Sequence, residues 1–537
     1  MLKTHCLRAS SIAVCAGSLL LLLSLLPIQA AGLLSNAGFE SDTNNENQTL
    51  FGWQSYGQNF YNEANPSVAH SGTNYLKLYQ AFVGTVNYTG LYQDYISGPG
   101  ATYSADGWAF TASSDVLAGQ NQAWLEVSFR DAAGNVLSLY RSAIITTNSI
   151  ATGRFPKSVW NDLRVTNQYD PNSYALTNTV TTLVAPAGTF FVRYQLVLQG
   201  DANYSGGSVY FDDLNLVSTG GSPYGNYNIT WSDEFNGTNI NTNTWTFESG
   251  NGCPGNCGWG NNELEYYTAR TNNAYVSGGL LHIVAQREST NGFNYTSARM
   301  KSEGLFSCQY GRIEWRAQLP AGVGTWPALW VMGTNIANLG WPGCGEIDVM
   351  ESDSTNTAMA QSSIHSGSDA TAIYNFTDGN STTNFHNYTL DWTTNAMLFY
   401  VDGHLFETQT SWGSSTTNTY PFPFNQPFFL LMNLAIGGNY VGNPTTGAIN
   451  SGTVFPAQVL VDYVRVYNLT PPLQLALKKN GINEVIQWPG NIVCRLQSQT
   501  NVVSRGLGTN WQIQPTSTNM FQITPGQGDG YFRLISP

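Results

Sequence analysis

The chain has 537 residues, 42% hydrophobic and 13% aromatic; only 10% are charged, 34 acidic against 21 basic, for a net charge of −13. That length exceeds one ordinary domain, and that apolar content excludes a disordered chain. Sparse, net-negative charge argues against partners such as nucleic acid or anionic lipid, whereas abundant Asn, Thr, Ser, Gly, Tyr and Trp suit a neutral, hydroxyl-bearing partner such as a sugar.

Residues 1–30 read as a secretory signal: Lys3, His5 and Arg8 precede an apolar run through Leu19–Leu26, and Ile28-Gln29-Ala30 offers a cleavage site. The run is short for a membrane anchor, so the mature protein is expected to be secreted and free of the membrane. Export also bears on the cysteines. Cys6 and Cys15 leave with the signal, and Cys253, Cys257, Cys308, Cys344 and Cys494 remain, an odd number. Cys253 and Cys257 are spaced to close a small disulfide loop in an oxidising compartment, and no His pair accompanies them at zinc-ligand spacing.

From 31 to 217 short alternating runs are broken by Gly, Asn and Pro, without helical periodicity. Ser35-Asn36-Ala37-Gly38-Phe39-Glu40, Gly52-Trp53, His70-Ser71-Gly72, Tyr103 to Trp108, Ala185-Pro186-Ala187-Gly188 and Val209 to Leu214 punctuate the segment. This text resembles carbohydrate-binding modules of the family 4/9 type, which implies a galactose-binding-like β-sandwich. A spacer sandwich without a ligand is the alternative. Residues 218–225 have the composition of a flexible linker. Residues 226–469 return to short strands and Gly, Asn and Pro turns, with 9 of the 15 Trp residues. After Thr470-Pro471-Pro472, the segment 470–537 reads as a small β-rich module without chemistry of its own.

The chemistry concentrates in Gly345-Glu346-Ile347-Asp348-Val349-Met350-Glu351. Ile, Val and Met favour a core-packed strand, where Glu346 and Asp348 share one face. Glu351 is an odd step from Glu346; one extra residue, a β-bulge at Val349-Met350, returns it to that face. A row of crowded carboxylates suits glycoside hydrolysis, with one ionised group and one protonated acid flanking the scissile bond. Strand spacing leaves retention and inversion both open. The bland alternatives are a solvated polar strand face or a calcium site.

Flanking motifs narrow the choice. Trp231 to Asn236, Trp259 to Tyr267, Tyr310 to Glu314, Gly324 to Trp330, Trp341 to Glu351, Asn433 to Gly438 and Asp462 to Tyr467 are similar to glycoside hydrolase family 16, in that family's order. Within it they look most like the laminarinases. The resemblance implies an all-β chain with a curved β-jelly-roll catalytic domain, acting as a retaining endo-β-1,3-glucanase. By the same resemblance Glu346 is the nucleophile, Asp348 its hydrogen-bonding assistant and Glu351 the acid/base, with the bulged form of the motif. It further implies a substrate cleft lined by Asn262, Glu263, Arg312, Trp326, Trp330, Trp341 and His365. Taken singly, such a Trp is as well a core residue, the His a buried hydrogen-bonder, and Arg312 a structural partner for a buried carboxylate.

No cofactor is expected for catalysis. A structural calcium is implied at the carbonyls of Glu234 and Gly279 and the side chain of Asp462, oxygen ligands suited to a hard cation. The expected partner is a β-glucan polysaccharide, bound by a monomer. The same fold acting on a mixed-linkage glucan, agar or carrageenan, or as a non-hydrolytic β-glucan-binding protein, is the competing reading; the three intact acids argue against the last.

Overall fold

The computed structural model describes residues 32–41, 50–222, 227–377 and 379–468, with 476–480, 483–487, 495–499, 511–514, 520–523 and 531–535 beyond them; the signal segment, Cys6, Cys15 and Cys494 lie outside the described residues. The structure is nearly all β, as the two-residue periodicity predicts, with only short helices such as Thr446–Gly452. Among the described residues no helix is long and apolar enough to cross a membrane.

The N-terminal half is a β-sandwich. In Thr102–Phe110, Tyr103, Ala105 and Ala109 alternate into a core shared with Leu125, Val127 and Phe129 of Gln122–Arg130 and with Leu196, Leu198, Phe211 and Leu216. One face of each strand is therefore committed to the interior, which fixes its register.

A second sandwich follows. Its seven-stranded sheet runs Thr246–Glu248, Arg299–Lys301, Phe428–Ile436, Thr325–Gly333, Glu346–Glu351, Met359–His365, Ala370–Asn375. Phe428–Ile436 is buried along its whole length, as a strand covered on both faces must be. Behind this sheet lies a layer made of His404–Gln409, Met397–Val401, His386–Trp392, Gly311–Gln318, Ala457–Asn468, Leu280–Ala285 and Ala274–Ser277. Leu329, Val331, Ile347 and Met432 meet Ile313, Trp315, Leu390 and Phe399 between the two.

The backing layer does not end at its edge. Asn87–Ile96 of the first sandwich pairs antiparallel with His404–Gln409, placing His404 opposite Tyr95 and Leu405 opposite Asp94. Ile96 N–H donates to the Gly403 carbonyl at 2.6 Å. Beside this ladder Ile96 and Phe191 pack against Leu398, Tyr400 and Leu405 in a separate buried cluster. An unpaired edge strand is thereby satisfied by the other sandwich, and one sheet runs through both. The strand Ser208–Gly220 carries regular structure into the segment read as a linker, while 223–226 lie outside the described residues. In the C-terminal segment the described strands form two three-stranded sheets.

Cys253 and Cys257 form a disulfide, as their spacing allows, and Cys308 and Cys344 are free.

Leu405 is 3% exposed at the seam. Leu405→Ala should lower the stability of the full chain by about 2–4 kcal/mol, the scale for truncating a buried leucine. Denaturant titration followed by tryptophan fluorescence measures it; a loss below about 0.5 kcal/mol, the surface-mutation range, would mean the two sandwiches barely touch.

Candidate active site

Glu346–Glu351 lies between Thr325–Gly333 and Met359–His365. Asp348 pairs opposite Trp330 and Ser363, and Glu351 opposite Ala328 and Gln361. From 348 to 351 is three steps on this strand, against two on each neighbour (330 to 328, 363 to 361), so one residue is extra. The consequence is visible in burial: Val349 and Met350 both turn into the core, at 3% and 0% exposure. Glu351 returns to the face of Glu346 and Asp348, as the bulge predicts.

Each acid has a distinct partner. The indole N–H of Trp341 donates to Glu346 Oε2 at 2.6 Å. His365 Nε2 lies 3.2 Å from Asp348 Oδ2, and its Nδ1 lies 3.0 Å from Asp369. The indole N–H of Trp326 donates to Glu351 Oε1 at 2.9 Å. Glu346 and Asp348 are also hydrogen-bonded to each other, and both are raised, first by burial and then by a neighbouring carboxylate. Two carboxyls in contact titrate as a pair that holds one proton between them. Glu351 is pushed up to about 7, by burial first and by the charge of Glu346 after it. Burial opposes the charged form of His365, but Asp348, Glu346 and Asp369 outweigh it and lift the imidazole to about 10, so it is a cation at neutral pH.

The walls follow from the sheet around the acids. Trp341, 57% exposed, presents an open ring at one side. Trp326 stacks on Tyr440 with ring centroids 4.9 Å apart. Asn262, in left-handed conformation, donates to Asn439 Oδ1 at 2.8 Å on the same rim. Gly438 takes φ +98°, and a Cβ there would meet the Trp326 ring at 3.1 Å, so the close approach requires glycine.

Three expectations are corrected, those for Trp330, Arg312 and Glu263. Trp330 is 6% exposed, its N–H bound to Asn433 Oδ1 and its ring covered by the Arg299 guanidinium at 4.8 Å. It is a floor beneath the site rather than an open stacking platform. Arg312 does not line the cleft at all. It belongs to the backing layer, is fully buried, and grips Asp391 through two bonds of 2.7 and 2.8 Å while covering the Tyr227 ring. An arginine so enclosed stays charged only because its carboxylate partner is enclosed with it.

Arg299, which the sequence reading missed, holds the cleft position instead. It sits between the Trp259 and Trp330 rings at 4.7 and 4.8 Å and pairs with Glu248 at 2.5 Å. Glu263 is buried below, accepting from the Tyr267 hydroxyl at 3.1 Å, and Tyr267 in turn accepts from Asn433. A signal for Arg299 existed: an arginine in a charge-poor segment, one strand from the Asn433 motif.

The three positions named for calcium share a corner, because Val464 pairs with Asp233 and Val461 with Leu281 on either side of Asp462. The Asp462 carboxylate accepts from Arg316 at 2.5 Å, and the Glu234 carboxylate is held by Arg465. Among the described residues no group of three or more His, Cys, Asp and Glu side chains is placed to hold a metal. One carboxylate and two carbonyls fit a hard cation here only when Arg316 moves aside.

The raised acid has a thermodynamic signature. Stability from Glu351 is full below its ordinary pKa of 4.5 and is lost as pH rises through about 7, an effect on the order of 3 kcal/mol. Neutral, isosteric Glu351→Gln should therefore melt several degrees above the wild type at pH 8. The gap should close toward pH 5. An equal gap at both pH values would mean the wild-type carboxyl is solvated.

The model of glycosyl hydrolases family 16 matches residues 260–455. The chain is 37% identical over 276 residues to glucan endo-1,3-beta-glucosidase A1 of Niallia circulans, covering 48% of this chain and 40% of that protein. It thus spans less than half the length of that relative. To a beta-glucanase of Rhodothermus marinus it is 37% identical over 264 residues, 45% of this chain and 85% of that one. The solved laminarinase catalytic domain of Thermotoga maritima MSB8 is 38% identical, covers 45% of this chain and 99% of its own, and superposes with a TM-score of 0.41. Since a relative more than one-third identical is matched over most of its length, and the family's model spans the bulged acidic strand, the chain belongs to glycosyl hydrolases family 16.

Proposed function

We propose that this chain is a secreted, monomeric, endo-acting retaining hydrolase of β-1,3-glucan. The observation that carries the reading is the convergence of Glu346, Asp348 and Glu351 on one sheet face through the bulge. Glu351, raised by burial, is protonated and gives its proton to the glycosidic oxygen as the C–O bond breaks. Glu346 attacks the anomeric carbon, and the proton of its pair resides on Asp348 as it does so; the result is a covalent glycosyl–enzyme. The Glu351 carboxylate then takes a proton from water, which displaces Glu346 and restores both acids. The His365 cation beside Asp348 opposes build-up of negative charge in the row. Trp341 orients the nucleophile through its N–H and offers its exposed ring to a sugar face.

The substrate class rests on the relatives: the Niallia circulans protein is named for endo-1,3-β-glucan cleavage and the Thermotoga maritima domain is a laminarinase. Rings at Trp326 and Trp341 flanking the acids suit the curl of a β-1,3-linked chain better than a flat one. The N-terminal sandwich is read as a carbohydrate-binding module, and the segment 1–30 as the signal that exports the chain. A structural calcium at Glu234, Gly279 and Asp462 belongs to the same proposal and takes no part in the chemistry. It should raise the melting temperature of the wild type and leave Asp462→Ala unmoved; an unchanged wild type would remove it from the reading.

The deciding experiment sets laminarin, lichenan, agarose and carrageenan side by side. Laminarin should be cleaved fastest, lichenan more slowly and the galactans not at all, with the β-anomer as first product by NMR. Glu346→Gln should fold normally and lose activity by several orders of magnitude. Galactose-based products with laminarin untouched would overturn the substrate assignment, and a first-formed α-anomer would overturn the mechanism.

A further inference from the structure

On the N-terminal sandwich, Gln122–Arg130 turns Leu125, Val127 and Phe129 inward and leaves Trp124, Glu126 and Arg130 on the opposite face. That face lines a groove of about 480 Å³ walled by Tyr56, Tyr88, Trp124, Arg130, Tyr174 and Gln199, within the size range of small-ligand sites. Tyr88 and Tyr174 are more than half exposed on its rim.

Charge sets this groove apart from the rest of a net-acidic chain. Arg130, Arg141 and Arg193 come together on neighbouring strands. Two of them are matched. The buried Glu126 accepts from Arg141 at 2.8 Å, from the Trp124 N–H at 3.0 Å and from Gln195, three of its roughly four acceptor sites. Asp94 takes both bonds of the Arg193 fork at 2.7 Å. Arg141 also covers the Trp124 ring at 4.5 Å and the Tyr174 ring at 5.2 Å, so neither is a fully open stacking surface. Arg130 is different: its Nε donates to Ser128 Oγ and its Nη1 to the Gly134 carbonyl, both at 3.0 Å, and among the described residues no carboxylate pairs with it. Two of five N–H donors are engaged and three remain. Three arginines against two carboxylates leave one positive charge, held in place at the groove wall.

We propose that this groove is a second saccharide site, and that it takes an anionic sugar unit of a polysaccharide, its acid group on Arg130 and its ring against Tyr88 on the rim. The proposal rests on the reading of this sandwich as a carbohydrate-binding module and adds the ligand class. A planar guanidinium with a free edge recognises a carboxylate or sulfate in two-point geometry, while amides such as Gln199 meet hydroxyls. The sheet bearing the groove is the one that backs the catalytic sandwich, not the one that bears the acids, so the two sites are separate.

The test is native affinity electrophoresis of the full chain through gels containing polygalacturonate, dextran sulfate or unmodified dextran. A protein with net charge −13 is repelled by polyanions in general, so retention requires a specific site. One or both acidic polymers should retard the wild type and neutral dextran should not; the pair distinguishes carboxylate from sulfate. Arg130→Gln should weaken that retention at least tenfold, and Arg130→Lys, which keeps the charge and loses the fork, should fall between. Both variants should hydrolyse laminarin like the wild type, which verifies their folding. No retention by either polyanion, or retention that Arg130→Gln leaves intact, overturns the proposal. Failure of the wild type to cleave laminarin would instead strike the assignment of the catalytic cleft, leaving the gel result to be judged alone.

Discussion

One extra residue in one strand governs the catalytic sandwich. A strand offers alternate faces, and an acid five positions from another belongs by default to the opposite side, in this case the dry interior. The bulge sends Val349 and Met350 inward together and lets Glu351 out beside Glu346 and Asp348. Because Ile347, Val349 and Met350 are fixed in a packed core, the acids above them have no latitude to slide; register in the core becomes position at the surface.

Once the acids are aligned, burial and repulsion do the rest. Water-poor surroundings raise every carboxyl in the row, while each meets a different donor: Trp341 for Glu346, His365 for Asp348, Trp326 for Glu351. Similar groups are thereby given unlike surroundings by their neighbours. Arg299 and Glu263 extend this into the floor, where the arginine lies between the Trp259 and Trp330 indoles.

The acidic strand was legible because its pattern is local: three carboxylates among strand-forming apolar residues dictate both face and bulge. The all-β class was legible for the same reason. Arg312 was not, because Arg312-Ile313-Glu314-Trp315-Arg316 alternates just as a cleft strand would, and alternation says that one face is buried without saying in which sheet. Only pairing with His386–Trp392 reveals that the arginine is enclosed with Asp391. Trp330 misled in the same way, since it does point to the cleft face but lies under Arg299. The seam between sandwiches left no local trace: Leu405 and Ile96 are ordinary apolar strand residues, and their contact spans more than three hundred positions.

That seam changes how the two halves of the molecule cooperate. A module on a flexible tether samples a volume, and its effective concentration at a polymer falls gradually with linker length. Here His404 and Leu405 share a ladder with Tyr95 and Asp94, so the first sandwich has one pose relative to the second. Whatever meets the first sandwich is therefore presented at a set distance and angle from the acidic row, as by the jaws of a caliper rather than by a hook on a line.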